Sequence, residues 1–334
     1  MSYMIWVTGS CNLRCQYCYE GNNKPQLHMS QDTADKTISF IEKDFDIAQK
    51  ELLVNFHGGE PFLCVQLMEY FINVLKAKYG SYCNIFFSAT TNATLLNEDV
   101  RNFIIKNKIE ITVSLDGKAK THDSTRIYAS GKGSHAIALR NSLLLLKEYP
   151  QIRVRMTFNS ETVKDLSENI EFLLDQGFRS IVPGIDSFDK KWEEQHIETL
   201  RKEISKIKEI HKKYPKALIS LCEPLSRCGY ECTGGIKSKH IYYDGKIYPC
   251  TITCGHEEFI IGDVNNGVNI KQVESLQKKS QRGNSICSEC DLLQFCSGAR
   301  CKYISKVITG SFVQPAPIDC NWTRLIYEMN GYSF

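Results

Sequence analysis

Cys11, Cys15 and Cys18 lie in the stretch GSCNLRCQYCYE, a C-x3-C-x2-C spacing compact enough for one loop to wrap a single metal centre. A tetrahedral metal or an iron–sulfur cube takes four ligands, so three thiolates leave one position open, and an open position is where chemistry at a metal takes place. The competing reading is three cysteines packed in a core, since Cys is among the most buried residue types. Regular spacing within a polar Gly/Ser/Asn loop speaks against it. A second concentration of thiols lies at the other end of the chain. Of 15 cysteines, ten follow residue 221 and none lies between residues 84 and 221. They include Cys228, Cys232, Cys250 and Cys254, then Cys287, Cys290 and Cys296 in the run CSECDLLQFC, and finally Cys301 and Cys320. In a large chain without an export signal, such clusters point to metal instead of disulfides. Four-thiolate zinc sites use similar C-x2-C pairs, so spacing alone leaves zinc open for this region. Cys64, Cys83 and Cys222 occupy apolar or strand-like contexts and read as inert core thiols.

These groups need a scaffold, and the first two thirds of the chain supply a regular one. Short apolar runs rich in β-branched and aromatic residues (MIWVT, ELLVNF, NIFFSATT, EITVSL, IRVRMTF and RSIVPGI) alternate with helical patterns. Ser30 and Asn97 fit helix N-caps, and Gly177 fits a helix stop. Six β–α units in succession predict an α/β fold with a parallel sheet, a partial (β/α)6 TIM-type barrel over residues 1–215. In such folds functional groups collect at the carboxyl ends of strands, which is where the first cysteine loop falls. The Lys- and Glu-laced segment KKWEEQHIETLRKEISKIKEIHKKY reads as a solvated helix face with i,i+4 pairs. From 216 to 334 the pattern becomes short, irregular and cysteine-rich, with one hairpin, HIYYDGKIYPC, turning on Asp-Gly. So little apolar periodicity predicts a small domain cross-linked by bound metal clusters. A formal net charge of +3 makes no case for nucleic acid or a membrane surface. The longest apolar run, SLLLLKEY, is too short to cross a bilayer, and no secretory signal precedes the first strand, so the expected location is the cytoplasm.

With Tyr17 inside it, the C-x3-C-x2-C loop resembles the signature of the radical S-adenosylmethionine (SAM) enzymes, and the likeness extends along nearly the whole chain to the subgroup with a C-terminal SPASM domain. The resemblance implies a 4Fe–4S cluster on Cys11, Cys15 and Cys18, whose fourth iron is chelated by the amino and carboxylate groups of SAM. HGGEP at 57–61 resembles the family's GGEP segment after the second strand. There Gly58, Gly59 and Glu60 would meet the SAM ammonium, since glycine permits close backbone approach and a carboxylate pairs with an ammonium. TTNATLL and SLDG match further family segments, which places Ser114 against the polar groups of SAM and makes Asn92 and Asn159 candidate contacts. Ordinary strand-end turn chemistry would account for the two asparagines equally well. HDSTR, with His122 and Arg126, also resembles family members and reads as a structural cap or bridge.

The family's interleaved pattern assigns Cys228, Cys232, Cys250 and Cys301 to a first auxiliary 4Fe–4S cluster and Cys287, Cys290, Cys296 and Cys320 to a second, three clusters in all. Cys301 stands one residue later than the pattern has it, and Cys254 is a possible substitute. With four thiolates each, the auxiliary clusters would have no iron free for substrate and would move electrons. The subgroup mostly modifies peptides and proteins. In sulfatase maturases an aspartate follows the segment matching YPC, whereas here Thr251 follows Cys250. Those enzymes also carry a substrate-facing glutamine where this chain has His57, which becomes a candidate substrate contact or proton acceptor, an ordinary imidazole pKa of about 6.5 suiting either; packing under the sheet end would explain it as well. The resemblance thus favours maturation of a ribosomally synthesised peptide by thioether or carbon–carbon cross-linking or by epimerisation, with formylglycine formation on sulfatases as runner-up. A non-catalytic zinc- or cluster-bearing binding module is the reading from another class. Leader-binding domains often precede such barrels and none is expected here, so a separate leader-recognition protein is a possible partner, alongside a reductant such as flavodoxin or ferredoxin.

Overall fold

The structure, a computed structural model, describes residues 1–21, 26–223, 232–281, 285–292, 296 and 301–331. In chain order the strands are β1 (Ser2–Thr8), β2 (Glu51–Gly58), β3 (Asn84–Thr91), β4 (Glu110–Ser114), β5 (Arg153–Phe158), β6 (Ser180–Ile185), β7 (Leu218–Ile219), β8 (Ser238–Ile241), β9 (Lys246–Tyr248), β10 (Gly262–Asp263) and β11 (Gly267–Val268). The α-helices are α1 (Gln31–Asp44), α2 (Val65–Tyr79), α3 (Glu98–Asn107), α4 (Ala119–Thr125), α5 (His135–Glu148), α6 (Leu166–Asp175), α7 (Glu194–Lys213), α8 (Ile270–Gln281), α9 (Ser285–Ser288), α10 (Lys302–Thr309) and α11 (Pro317–Met329). All six strands expected from the apolar runs form. So do the six expected helices, with α4 as an addition that the short polar segment AKTHDST does not announce.

The chain divides into two compact units. The first comprises Met1–Ser114, Arg126–Ile152 and Thr233–Leu276. Its core is a parallel ladder in the order β8-β1-β2-β3-β4, and β9, β10 and β11 extend it antiparallel beyond β8. Period-2 alternation sorts the side chains. Tyr3 meets Phe40 of α1 at 6.3 Å between ring centroids, and Phe56 meets Phe71 of α2 at 6.3 Å and Phe87 of β3 at 6.1 Å. Helices therefore cover that face, and Met4, Trp6, Asn55 and His57 point to the other. The register pairs Met4 with Asn55 and Trp6 with His57. Ser30 caps α1 by accepting from the Thr33 N–H at 3.1 Å, and Asn97 caps α3 by accepting from the Val100 N–H at 3.0 Å, as their positions predict. The Asp-Gly hairpin forms between β8 and β9, with Gly245 at φ +85°, a conformation a side chain would strain. A partly buried ion pair fastens β8: Lys239, 5 % exposed at its side chain, reaches Asp44, 20 % exposed, at 2.7 Å, and Tyr3 donates to the same carboxylate at 2.6 Å.

The second unit comprises Leu115–Thr125, Arg153–Cys232 and Gln277–Phe334. Strands β5, β6 and β7 run parallel, with α6 and α7 joined where the Ser167 N–H donates to the buried Glu203 carboxylate at 2.8 Å. At the end of β5, Phe158 meets Trp192 at 6.2 Å and Trp322 of α11 at 5.9 Å. Asp116, fully buried, accepts from the Thr157 N–H at 2.9 Å and from Thr125 Oγ1 at 3.3 Å, which ties the SLDG and HDSTR segments to β5. No helix among the described residues is long and apolar enough to cross a membrane.

Candidate functional site

At the carboxyl end of β1 the chain breaks into turns. Cys18 N–H donates to Cys15 O at 3.1 Å and Gly21 N–H to Cys18 O at 2.9 Å, so the loop winds through two of its three cysteines. The Leu13 N–H points at Cys11 Sγ, 3.4 Å away, and Arg14 Nη1 ties down Cys11 O and Leu13 O at 2.7 and 2.8 Å. A hairpin from the HDSTR region buttresses the loop from outside. Arg14 N–H donates to Ile127 O at 2.7 Å, and the Arg126 guanidinium, 6 % exposed, lies 5.0 Å from the centre of the Tyr17 ring. The structural role expected of Arg126 is thus given a definite partner. His122 is buried in the second unit and accepts from the Asp116 N–H at 3.3 Å.

The GGEP segment closes onto this loop. A Cβ at Gly58 would stand 2.2 Å from Thr8 O, and one at Gly59 would stand 2.3 Å from Ser10 O and 2.9 Å from Cys11 Cβ. Backbone bonds occupy that space: Gly59 N–H donates to Thr8 O at 3.2 Å and Glu60 N–H to Ser10 O at 2.9 Å. Only glycine allows so close an approach. Glu60 then turns inward, 1 % exposed. Its Oε1 accepts from Thr91 Oγ1 at 2.8 Å and from the Phe62 N–H at 3.3 Å, and its Oε2 accepts from the Asn92 N–H at 2.8 Å. Burial pushes this carboxyl up to about 7 against the pull of those three bonds. Asn92 donates to Asn12 Oδ1 at 2.9 Å and points the same amide hydrogens at Cys11 Sγ, 3.9 Å away. Its oxygen accepts from Thr94 N–H and Oγ1 at 3.0 and 2.6 Å. One residue therefore links the third strand end to the cysteine loop. Ser114, 8 % exposed, ends β4 in the same unit. Asn159 belongs to the second unit, where its oxygen accepts from Glu161 N–H, Thr162 N–H and Thr162 Oγ1 at 3.0–3.1 Å, the strand-end turn chemistry that its position allows.

His57 sits on β2 one step before the glycines. Its Nε2 lies 2.9 Å from the hydroxyl of Tyr19, the residue after Cys18, and its ring meets Trp6 edge-on at 4.7 Å. The imidazole is therefore held by the cysteine loop on one side and by β1 on the other. Close by, His240 of β8 is 6 % exposed, and burial, helped by His57, brings its pKa down to about 3, so it is neutral at ordinary pH. Its ring nitrogens lie 3.3 Å from Ser238 Oγ and 3.3 Å from Thr251 Oγ1. Neither Tyr19 nor His240 carries a sequence signal of its own; the register of β8 beside β1 brings His240 here.

The later cysteines separate by unit. Cys250 and Cys254 belong to the first, where Cys254 Sγ lies 3.5 Å from Cys250 O; burial first and Cys250 second push the Cys254 thiol well up. Cys232 and Cys301 belong to the second unit, and Cys301 is raised by burial with Cys232 adding to it. Burial also raises Cys320, and Cys287, Cys296 and Cys290 all contribute. Cys228 lies outside the described residues. None of the described cysteines is disulfide-bonded, and among the described residues no three Cys, His or acidic side chains converge closely enough to be a metal group. The donors nevertheless fit iron–sulfur ligation. Thiols that repel one another's ionisation are what a cationic metal reverses by holding them as thiolates. Around Cys11 the N–H groups aimed at sulfur supply the hydrogen bonding such a ligand takes.

Residues 1–137 match the 4Fe–4S single cluster domain. The chain is 28 % identical over 186 residues to a cysteine-type anaerobic sulfatase-maturating enzyme of Clostridium novyi, a match covering 54 % of this chain and half the length of that relative. Among solved structures it resembles anSMEcpe with bound AdoMet and Cp18Cys peptide (TM-score 0.79, 18 % identity, 98 % of this chain and 95 % of the other). It also resembles Streptococcus suis SuiB bound to the precursor peptide SuiA (TM-score 0.66, 15 % identity, 96 % and 75 %). The last two are likenesses of fold, and they agree with the partial barrel and cysteine-rich domain expected from the sequence. With its cysteine loop clasped over a glycine pair at the ends of parallel strands, the chain combines a 4Fe–4S single cluster domain match over its first 137 residues with the fold of these two solved structures.

Proposed function

We propose that this enzyme takes hydrogen from a peptide and matures a ribosomally synthesised substrate, by forming a thioether or carbon–carbon cross-link or by inverting a stereocentre. A cluster on Cys11, Cys15 and Cys18 would supply the electron and the open iron needed to cleave SAM to a 5′-deoxyadenosyl radical. The observation that carries this reading is the clasp itself: Gly58 and Gly59 lie against Thr8 O, Ser10 O and Cys11 Cβ, so the open thiolate loop and the GGEP segment form one construction. Gly58, Gly59 and Glu60 would hold the ammonium of SAM, Asn92 and Ser114 would line its polar end, and Asn159 is a further candidate contact. His57, braced by Tyr19 and Trp6, would meet the substrate. We assign residues 1–215 to the barrel and 216–334 to the SPASM domain. One auxiliary cluster would sit on Cys228, Cys232, Cys250 and Cys301, with Cys254 as an alternative ligand, and the other on Cys287, Cys290, Cys296 and Cys320. A flavodoxin or ferredoxin would deliver electrons in the cytoplasm, and a separate protein could present the leader.

Oxidation of a sulfatase serine or cysteine to formylglycine is the second reading, favoured by the likeness to the sulfatase-maturating enzyme of C. novyi. Thr251, in place of the expected aspartate, weighs against it; its hydroxyl is spent between His240 and Met4 Sδ, 3.2 Å away. The test is anaerobic incubation of reconstituted, reduced enzyme with SAM and two peptides: one encoded beside its gene, one a sulfatase segment. Loss of paired hydrogens from the first supports maturation, and formylglycine in the second supports the alternative. Failure to release 5′-deoxyadenosine, lost equally in Cys15→Ala and wild type, removes both.

A further inference from the structure

Helix α11 carries Cys320, Arg324 and Tyr327 at i, i+4 and i+7, so one stripe of its surface presents a thiol, a guanidinium and a phenol ring. Tyr327, 4 % exposed, packs with Leu292, and Cys290 and Cys296 lie against that pair. Cys290 N–H donates to Cys287 O at 3.2 Å, which sets these two cysteines side by side. Arg324 Nη2 in turn donates to Cys290 Sγ at 3.6 Å. The helix that carries Cys320 thus also brings a cation to the Cys290 sulfur. We propose that Arg324 tunes the second auxiliary cluster, raising its reduction potential through a charged hydrogen bond to the Cys290 ligand sulfur.

The proposal rests on the reading of Cys287, Cys290, Cys296 and Cys320 as one ligand set. A 4Fe–4S cluster with four thiolates is already anionic, and reduction adds a further electron. A guanidinium donating to a ligand sulfur stabilises the more negative state and so makes reduction easier. Two other charges act on the same group of thiols. The cation of Lys302, near Cys287, works in the same sense as Arg324, and the anion of Asp319, next to Cys320 in the chain, works against both. Asp319 accepts from Ser187 Oγ at 2.8 Å, whereas the Arg324 guanidinium makes an observed hydrogen bond to a thiol of this set. Leu292 and the ring of Tyr327 pack against Cys290 and Cys296.

The experiment uses the full chain, reconstituted anaerobically, with iron and sulfide counted per chain and the clusters followed by EPR through a reductive titration. Cys290→Ala should lose the iron of one cluster. Arg324→Gln should keep wild-type iron but reduce with more difficulty: at the potential where the wild-type cluster is half reduced, its oxidised-to-reduced ratio should rise about threefold, roughly 30 mV on a one-electron scale. Arg324→Lys, which keeps the charge and loses the planar fork, should fall between the two. Full iron with an unchanged potential in Arg324→Gln overturns the proposal and leaves the four-cysteine site standing. Full iron in Cys290→Ala overturns the site, and the proposal with it. If Arg324→Gln sheds iron, wild-type enzyme grown on 15N-arginine decides: pulsed EPR of its reduced clusters shows coupling to 15N if the bond exists, and its absence overturns the proposal.

Discussion

Gly59→Ala tests the clasp most directly, because the damage can be worked out from distances. The added methyl would stand 2.3 Å from Ser10 O, 2.6 Å from Ser10 C and 2.9 Å from Cys11 Cβ. Carbon atoms in ordinary contact sit at about 3.5–4.0 Å, so the Ser10–Cys11 backbone must retreat by roughly 1 Å. It cannot retreat without loss, since Ser10 O accepts from Glu60 N–H at 2.9 Å and Ser10 N–H is held by Thr8 Oγ1 at 2.9 Å. Overpacking of this kind costs about 1–3 kcal/mol of stability. The larger effect falls on chemistry, where a misplacement of about 1 Å can cost on the order of 100-fold in rate. Gly59 has no left-handed φ to complicate the result, whereas Gly58, at φ +138°, combines strain with its clash. The assays are iron retained after reconstitution and 5′-deoxyadenosine released under strong reductant, with thermal midpoint as a third readout. Gly310→Ala serves as control: at φ +78° with open space around it, it should lose about 1 kcal/mol and leave SAM cleavage alone. Full iron and SAM cleavage within about twofold of wild type in Gly59→Ala would refute the clasp, because no neighbour could then be as close as described.

Three further outcomes follow from the same geometry. Because the folded carboxyl of Glu60 is raised from 4.5 to about 7, it stabilises the fold fully below pH 4.5 and loses that contribution as pH rises through 7, on the order of 3 kcal/mol in total; urea unfolding should show wild type losing stability relative to Glu60→Gln between pH 5 and pH 8, and a pH-independent difference would contradict the burial. Lys239→Met leaves Asp44 with Tyr3 alone and should cost about 3 kcal/mol by urea denaturation, part of which Asp44→Asn in the same chain should return. Arg126→Ala removes the cation from the half-buried Tyr17 ring, about 1 kcal/mol, and should lower the iron held by the first loop while leaving that of Cys290→Ala-sensitive clusters in place, which iron counting in the double variant checks.

How far the sequence alone could be read depended on how local each signal was. The six strands and their partner helices are written in periods of two and 3.6 with caps such as Ser30 and Asn97, and short-range signals of that kind survive folding unchanged. The Cys11–Cys18 loop and GGEP were legible because both are contiguous. What could not be read was set by register between segments far apart in the chain. The Lys239–Asp44–Tyr3 lock joins positions nearly 200 residues apart, and it places β8, and with it His240 and Thr251, beside β1. Tyr19 against His57 and Arg126 against Tyr17 are pairings of the same long-range sort. Helix α4 was missed because buried polar bonds around Asp116 stabilise it, and polar bonds leave no apolar period to detect.

Glu60 shows why a motif can name a residue and still miss half of what it does. Resemblance assigns it to the ammonium of SAM, yet in the folded chain it already accepts from Thr91, Phe62 and Asn92, and so staples the end of β2 to the end of β3. The two roles are compatible on lone-pair count. Each carboxylate oxygen can take two donors; Oε1 has two and Oε2 has one, which leaves capacity for a further donor on the Asn92 side. Without that donor the buried charge is under-compensated, and the rise of the carboxyl to about 7 expresses this. A cationic ligand arriving there would complete the set and restore the ionised form. The same carboxylate that organises the strand ends would then favour a ligand carrying positive charge over a neutral one of the same shape.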